Sequence, residues 1–135
     1  MTDKSEIDQR PVGVGGSKPL PPDEFGLILG LASWLMTMSK EHRDRPISVL
    51  DKRVLPGILL KQFKLIRKDK MPVAFISWAT VSDEVKARLE SDETYAPEIT
   101  EWRSGRNLVI VECVSPFGPA AEVKQHFING MIKTA

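Results

Sequence analysis

From Phe25 to Met38 the chain is apolar at most of 14 consecutive positions, with Ser33 and Thr37 the main interruptions. Spanning a bilayer takes about 20 such residues, so this run is too short to cross one and must be covered by the rest of a folded domain. It predicts a buried helix, with Asp23 as its cap after Pro21 and Pro22 and an end near Met38. A chain of 135 residues, 41% hydrophobic and 27% charged, can supply that cover as one domain.

Local signals on either side give the remaining elements. Residues 1–22 hold Gly13, Gly15, Gly16, Pro19, Pro21 and Pro22 and predict a flexible arm, with the ordered domain at 23–135. The Gly13-Val14-Gly15-Gly16 run lacks the Gly-Lys-Ser/Thr of a phosphate loop. A second helix is expected from Ser48 to about Leu60, made irregular by Pro56 and Gly57. Gln62–Arg67 and Pro72–Thr80 alternate in polarity around Lys68-Asp69-Lys70 and read as a hairpin. Ser82, followed by Asp83 and Glu84, caps a helix to about Glu90. After a loop, Glu101–Ser104 reads as a short strand, 104–107 as a turn and Leu108–Val114 as a buried strand. The Ser115–Pro119 break leads to a closing helix over Ala120–Ile132. Hairpins with interspersed helices make an α+β or mixed α/β domain on an antiparallel-rich sheet.

A net charge of +1 hides an uneven distribution. Lys40–Lys70 carries ten cations against four anions, a patch suited to an acidic protein or a phosphate. The exposed aromatics that single-strand nucleic-acid binders interleave with such charges are missing, so no nucleic-acid partner is expected. One cysteine, Cys113, excludes an internal disulfide or a multi-cysteine metal site and fits a reducing cytosol. The polar residues 1–24 show no secretory signal, which makes a cytoplasmic location the expectation.

Two histidines are present. His42 follows the apolar run in Ser39-Lys-Glu-His42-Arg-Asp-Arg-Pro46, beside the basic tract, and is the candidate proton acceptor. His126, next to Phe127 on the last helix, reads as a surface or partly packed residue. Glu112 interrupts an apolar strand, where a carboxylate needs a partner unless it faces outward from an edge. Cys113 must point opposite to it on an alternating strand and reads as a packed thiol, not a nucleophile. Trp34, Trp78 and Trp102 are expected in the core or lining a pocket. No spaced ligand cluster accompanies the histidines, so no metal is expected.

A set of segments then joins in one order. They are Leu31-Ala-Ser-Trp34-Leu, Ser39-Lys-Glu-His42-Arg-Asp-Arg-Pro46, Val54-Leu-Pro56, Pro72-Val-Ala-Phe-Ile-Ser77-Trp78-Ala79, Glu101-Trp102-Arg-Ser104-Gly105 and Val111-Glu-Cys-Val-Ser-Pro116-Phe117-Gly118. Over roughly residues 27–120 the chain resembles the lysine acyltransferases that activate RTX protoxins, the hemolysin-activating family. The resemblance implies a fold like that of the GNAT acetyltransferases, shortened here at the C-terminus. It also implies transfer of a fatty acyl group from acyl carrier protein to the ε-amine of internal protoxin lysines, with no bound cofactor. Its catalytic His and Ser fall on His42 and Ser39. Its acid falls on Glu112, where the family usually has Asp, and Arg53 stands where many members have Asn.

The chemistry asked of these residues is definite. A lysine amine with a pKa near ~10.4 is protonated at neutral pH and needs a base before it attacks a thioester. An imidazole with a pKa near ~6.5 can serve, and a carboxylate on its other nitrogen would orient it. Ser39 would hydrogen-bond the thioester carbonyl, fix the His ring, or simply end a helix.

No cofactor-binding residue can be named. The turn at Gly118-Pro119 opens a helix whose N–H groups suit a phosphate or carbonyl, but the Gly-rich coenzyme A signature is absent. A carrier-protein donor is therefore expected, with Lys61–Lys70 meeting its acidic surface. The alternatives are an impaired relative that only docks an acyl carrier or protoxin, and a coenzyme A-dependent N-acetyltransferase. A short sheet also leaves an edge that a second copy could complete as a homodimer.

Overall fold

The computed structural model describes residues 19–134, so most of the expected arm, with its Gly13–Gly16 run, lies outside the described residues. The first helix, α1 (Pro22–Met38), starts one residue before Asp23. Asp23 is therefore not its cap. Pro22 occupies the first turn, where a missing N–H costs nothing, and the carbonyl of Pro21 receives the N–H of Phe25. Ile28, Ala32, Leu35 and Met36 recur at helical spacing and form the buried face. The helix is not buried all round: Trp34 is 39% exposed on the other side.

The second helix is irregular for an identifiable reason. Pro56 cannot donate a hydrogen bond, and its ring crowds the carbonyl four residues back. The chain widens into a π turn over Leu50–Val54, with the Leu55 N–H reaching Leu50, before the short helix α2 (Leu55–Leu59). Gly57 lies against the sheet; a Cβ there would sit 2.8 Å from that of Ser77.

Three strands follow in the order β1 (Phe63–Lys68), β2 (Met71–Val81), β3 (Asn107–Val114), all antiparallel. Asp69 and Lys70, both at positive φ, make the two-residue hairpin turn whose twist matches the strands. Ser82 accepts the N–H of Val85 and caps α3 (Asp83–Ser91), as its sequence predicts. The expected strand at Glu101–Ser104 is instead a 3-10 turn, Ile99–Glu101, closed by a capping box with Glu98. Only Arg103 makes a single parallel bridge, to Thr80. Burial of Trp102 explains the difference, since its indole donates to the carbonyl of Pro97 and pulls this segment under the sheet. The last helix is α4 (Ala120–Thr134). Among the described residues no helix is long and apolar enough to cross a membrane.

One face of the sheet packs on α1 and α2 through Phe63, Leu65, Phe75 and Val114, and further along on Trp102 and α3. The other face carries Ile76, Trp78, Ile110 and Cys113 against Phe127 of α4. Pairing between β2 and β3 slips once. Ser77 faces Glu112 and Trp78 faces Ile110, leaving Val111 as an extra residue. This β-bulge turns two consecutive side chains, Val111 and Glu112, to the same face.

Candidate active site

The site forms where the end of α1 meets β3. Met38 is the last helical residue, and Ser39, in extended conformation, ends the helix with its N–H on Met36. A tight turn follows, with the N–H groups of both His42 and Arg43 returning to the carbonyl of Ser39. The turn folds the imidazole back over the helix end. Ser39 is 1% exposed and His42 6%.

Three side chains line up. The Ser39 hydroxyl lies 2.6 Å from Nδ1 of His42, and Nε2 of His42 lies 2.5 Å from Oε2 of Glu112, 70 residues later. An ionised carboxylate can only accept, so Nε2 carries a proton and donates it to Glu112. In the neutral ring Nδ1 is then an acceptor and takes the Ser39 O–H. Glu41 Oε1 is a second acceptor for that hydroxyl, at 3.3 Å.

Glu112 is held from a second side. Its Oε1 accepts from Nε of Arg53, 2.8 Å away on the π turn. Arg53 also donates to the carbonyl of Tyr95 at 3.3 Å and to that of Val111. Burial pushes the Glu112 carboxyl up, but the hydrogen bonds and charges of His42 and Arg53 outweigh it and hold the group below its ordinary value. It is thus an anion at neutral pH.

The sequence candidates Ser39, His42 and Glu112 are brought together. Cys113 and His126 do not join them: Cys113 is packed against α4, where burial pushes its thiol up, and His126 is exposed on α4. Trp78 and Trp102 are core, as expected, while Trp34 is not. Sequence reasoning left Arg53 without a role, although its place in a helix between Lys52 and the apolar Val54 marked a charge close to the core. It also left out Gln62, which is buried and ties the carbonyls of Trp78 and Trp102 to the guanidinium of Arg103.

An open cleft of about 620 Å³ runs along the free edge of β3 beside Glu112. Arg45, Lys52 and Lys124 bring positive charge to its walls, and Leu89, Tyr95 and Ile110 apolar surface. Among the described residues no group of three or more His, Cys, Asp or Glu could hold a metal.

Residues 23–134 match the sequence profile of the RTX toxin acyltransferase family, and the chain belongs to that family. It is 34% identical over 99 residues to the RTX-II toxin-activating lysine-acyltransferase ApxIIC of Actinobacillus pleuropneumoniae, an alignment covering 73% of this chain and 61% of that one. It is 32% identical over 109 residues to the protein-lysine myristoyltransferase RtxC of Kingella kingae, covering 78% and 65%. It is 36% identical over 96 residues to the protein-lysine myristoyltransferase HlyC of Escherichia coli, covering 67% and 52%. The chain thus spans between about half and two thirds of the length of these relatives.

Proposed function

We propose that the chain is a cytoplasmic protein-lysine acyltransferase that moves a fatty acyl group from acyl carrier protein to the ε-amine of internal lysines of an RTX-type protoxin. The observation that carries this reading is the line Ser39–His42–Glu112, assembled from two distant segments beside an open cleft. The family membership and the names of the relatives point the same way. The sheet, with a helix after β3, is compatible with a GNAT-like domain beginning near residue 23.

In this reading His42 is the general base. The lysine gives one proton to solvent and attacks the thioester carbonyl as the neutral amine; a C–N bond forms, and a second nitrogen-bound proton passes to Nδ1. It arrives through the Ser39 hydroxyl or in its place, because Nδ1 already faces that oxygen. The imidazolium then donates to Ser39 and to Glu112, while the Ser39 hydrogen turns to Glu41. Collapse breaks the C–S bond, and the carrier thiolate takes the proton. Glu112 orients the ring and stabilises its charge, and Ser39 is auxiliary. The acidic carrier would meet the cations on the cleft wall and the hairpin cations Lys64, Lys68 and Lys70.

The test is transfer of a radiolabelled acyl chain from loaded carrier protein to a protoxin bearing the target lysine. His42→Ala should lower turnover by at least about a hundredfold while the protein stays folded. Unchanged turnover would remove the proposal. Carrier binding with no transfer by the unaltered protein would leave only a docking role.

A further inference from the structure

The geometry points to Arg53 as a positioning residue whose guanidinium clamps Glu112 in the one orientation that engages His42. The clamp deepens the acyl-transfer reading above and rests on it for its kinetic consequences. Glutamate has one more rotatable bond than aspartate, so a glutamate at this place needs a second restraint to keep Oε2 on the imidazole. Arg53 supplies it by holding Oε1 at 2.8 Å. A carboxylate is planar, and fixing one oxygen on a strand-bound side chain fixes the other.

The clamp is itself anchored. Its two terminal nitrogens donate to the backbone carbonyls of Tyr95 and Val111, which do not rotate as side chains do. The Val111 carbonyl belongs to the bulged residue. The main-chain oxygen of Arg53 accepts the Ser77 hydroxyl at 2.7 Å. Arg53 is thus fixed to β2, to β3 and to the loop after α3. Arg53 and Glu112 are a matched pair: the longer acid reaches the imidazole because the longer base steers it.

The arrangement has an electrostatic consequence. Glu112 shares its charge between a guanidinium and an imidazole, and the two donors hold its two oxygens in place. Other charges around the site are Arg45, Lys52 and Lys124 against Glu41, Asp92 and Glu93, three of each sign. Removal of Arg53 frees Oε1 and loosens the contact between Oε2 and Nε2 of His42.

The full chain contains only two histidines, and His126 is exposed on α4, so NMR of the ring resonances reads His42 directly with His126 as internal reference. Arg53→Asn should move the His42 Nε2 proton resonance upfield and quicken its exchange with water, as the Nε2–Oε2 contact loosens, and leave His126 in place. It should lower kcat for acyl transfer by about ten- to a hundredfold with KM little changed. Arg53→Lys keeps the charge and most of the stem, which guards against loss of fold. It should restore the Nε2 proton resonance and kcat only in part, because the charge remains but the fork is lost. A His42 Nε2 proton unchanged in shift and exchange in folded Arg53→Asn would overturn the clamp. The imidazole reading decides this whether or not the unaltered protein transfers acyl groups.

Discussion

Ser77 stands opposite Glu112 in the β2–β3 ladder, and its hydroxyl donates to the backbone carbonyl of Arg53. One small residue in the middle strand thus joins the two sides of the carboxylate's support. Ser77→Ala removes that donor without changing the Cβ packing against Gly57. It should cost about 1 kcal/mol in a urea unfolding experiment. Acyl transfer should fall by a larger factor than the stability change alone would suggest, because the π turn that carries Arg53 is loosened.

The residues at 53 and 112 should show strong coupling in a double-mutant cycle. Glu112→Asp alone shortens the reach to His42 by one methylene while Arg53 still pulls on the acid. Transfer should drop by about ten- to a hundredfold. The double variant R53N/E112D, the pair that the family resemblance implies at these positions, should recover much of this loss. Additive effects on initial rates would contradict the matched pair.

Acid should weaken the fold through Glu112. Its carboxyl titrates lower in the folded chain than in the unfolded one. Between those two values the unfolded chain binds more protons, so stability rises with pH there. The contribution is complete above the unfolded value and is lost as pH falls through the folded one. Glu112→Gln should cost about 1–3 kcal/mol at pH 7. Urea midpoints of the two proteins should converge as pH is lowered through that window.

Cys113 should be a slow thiol. Burial raises its titration, aided by the charges of Glu112 and Glu41 against that of Lys124. Labelling by a thiol reagent at pH 8 should proceed at least about tenfold slower in the native protein than in urea. Rapid native labelling would show that this strand face is open.

Gly105 is fixed by close approach. Its N–H donates to the carbonyl of Thr80, and a Cβ at this position would lie 2.5 Å from the carbonyl oxygen of Val81 and 2.6 Å from the backbone of Ser82. Gly105→Ala should destabilise the protein by about 1–3 kcal/mol, read as a lowered thermal midpoint, since backbone cannot step aside as a side chain can.

Local signals made much of the fold legible. The hairpin, the Ser82 cap and the irregularity at Pro56 all follow from residues within a few positions of each other. Errors arose where distant groups decide. Trp102 draws the segment before it into a turn and defeats the strand expected at Glu101–Ser104. Trp34 belongs to an apolar run yet stays exposed among the described residues. In the site, Ser39 and His42 share one turn and were legible as a unit. Glu112 stood out as a carboxylate in an apolar strand, and the family resemblance paired it with His42, whereas spacing alone could not span 70 residues. Arg53 looked like one more solvated cation in a basic window, because nothing in its neighbourhood announces a carboxylate on a strand.

The extra residue in β3 gives the site a parity. A pleated strand hands its side chains alternately left and right, and the count from Asn107 would otherwise deliver the acid to the α4 side, among Trp78 and Phe127. Val111 shifts that count by one. A strand that kept every residue but paired without this slip would set Val111 opposite Ser77, and hydrocarbon would stand where the imidazole waits for an oxygen.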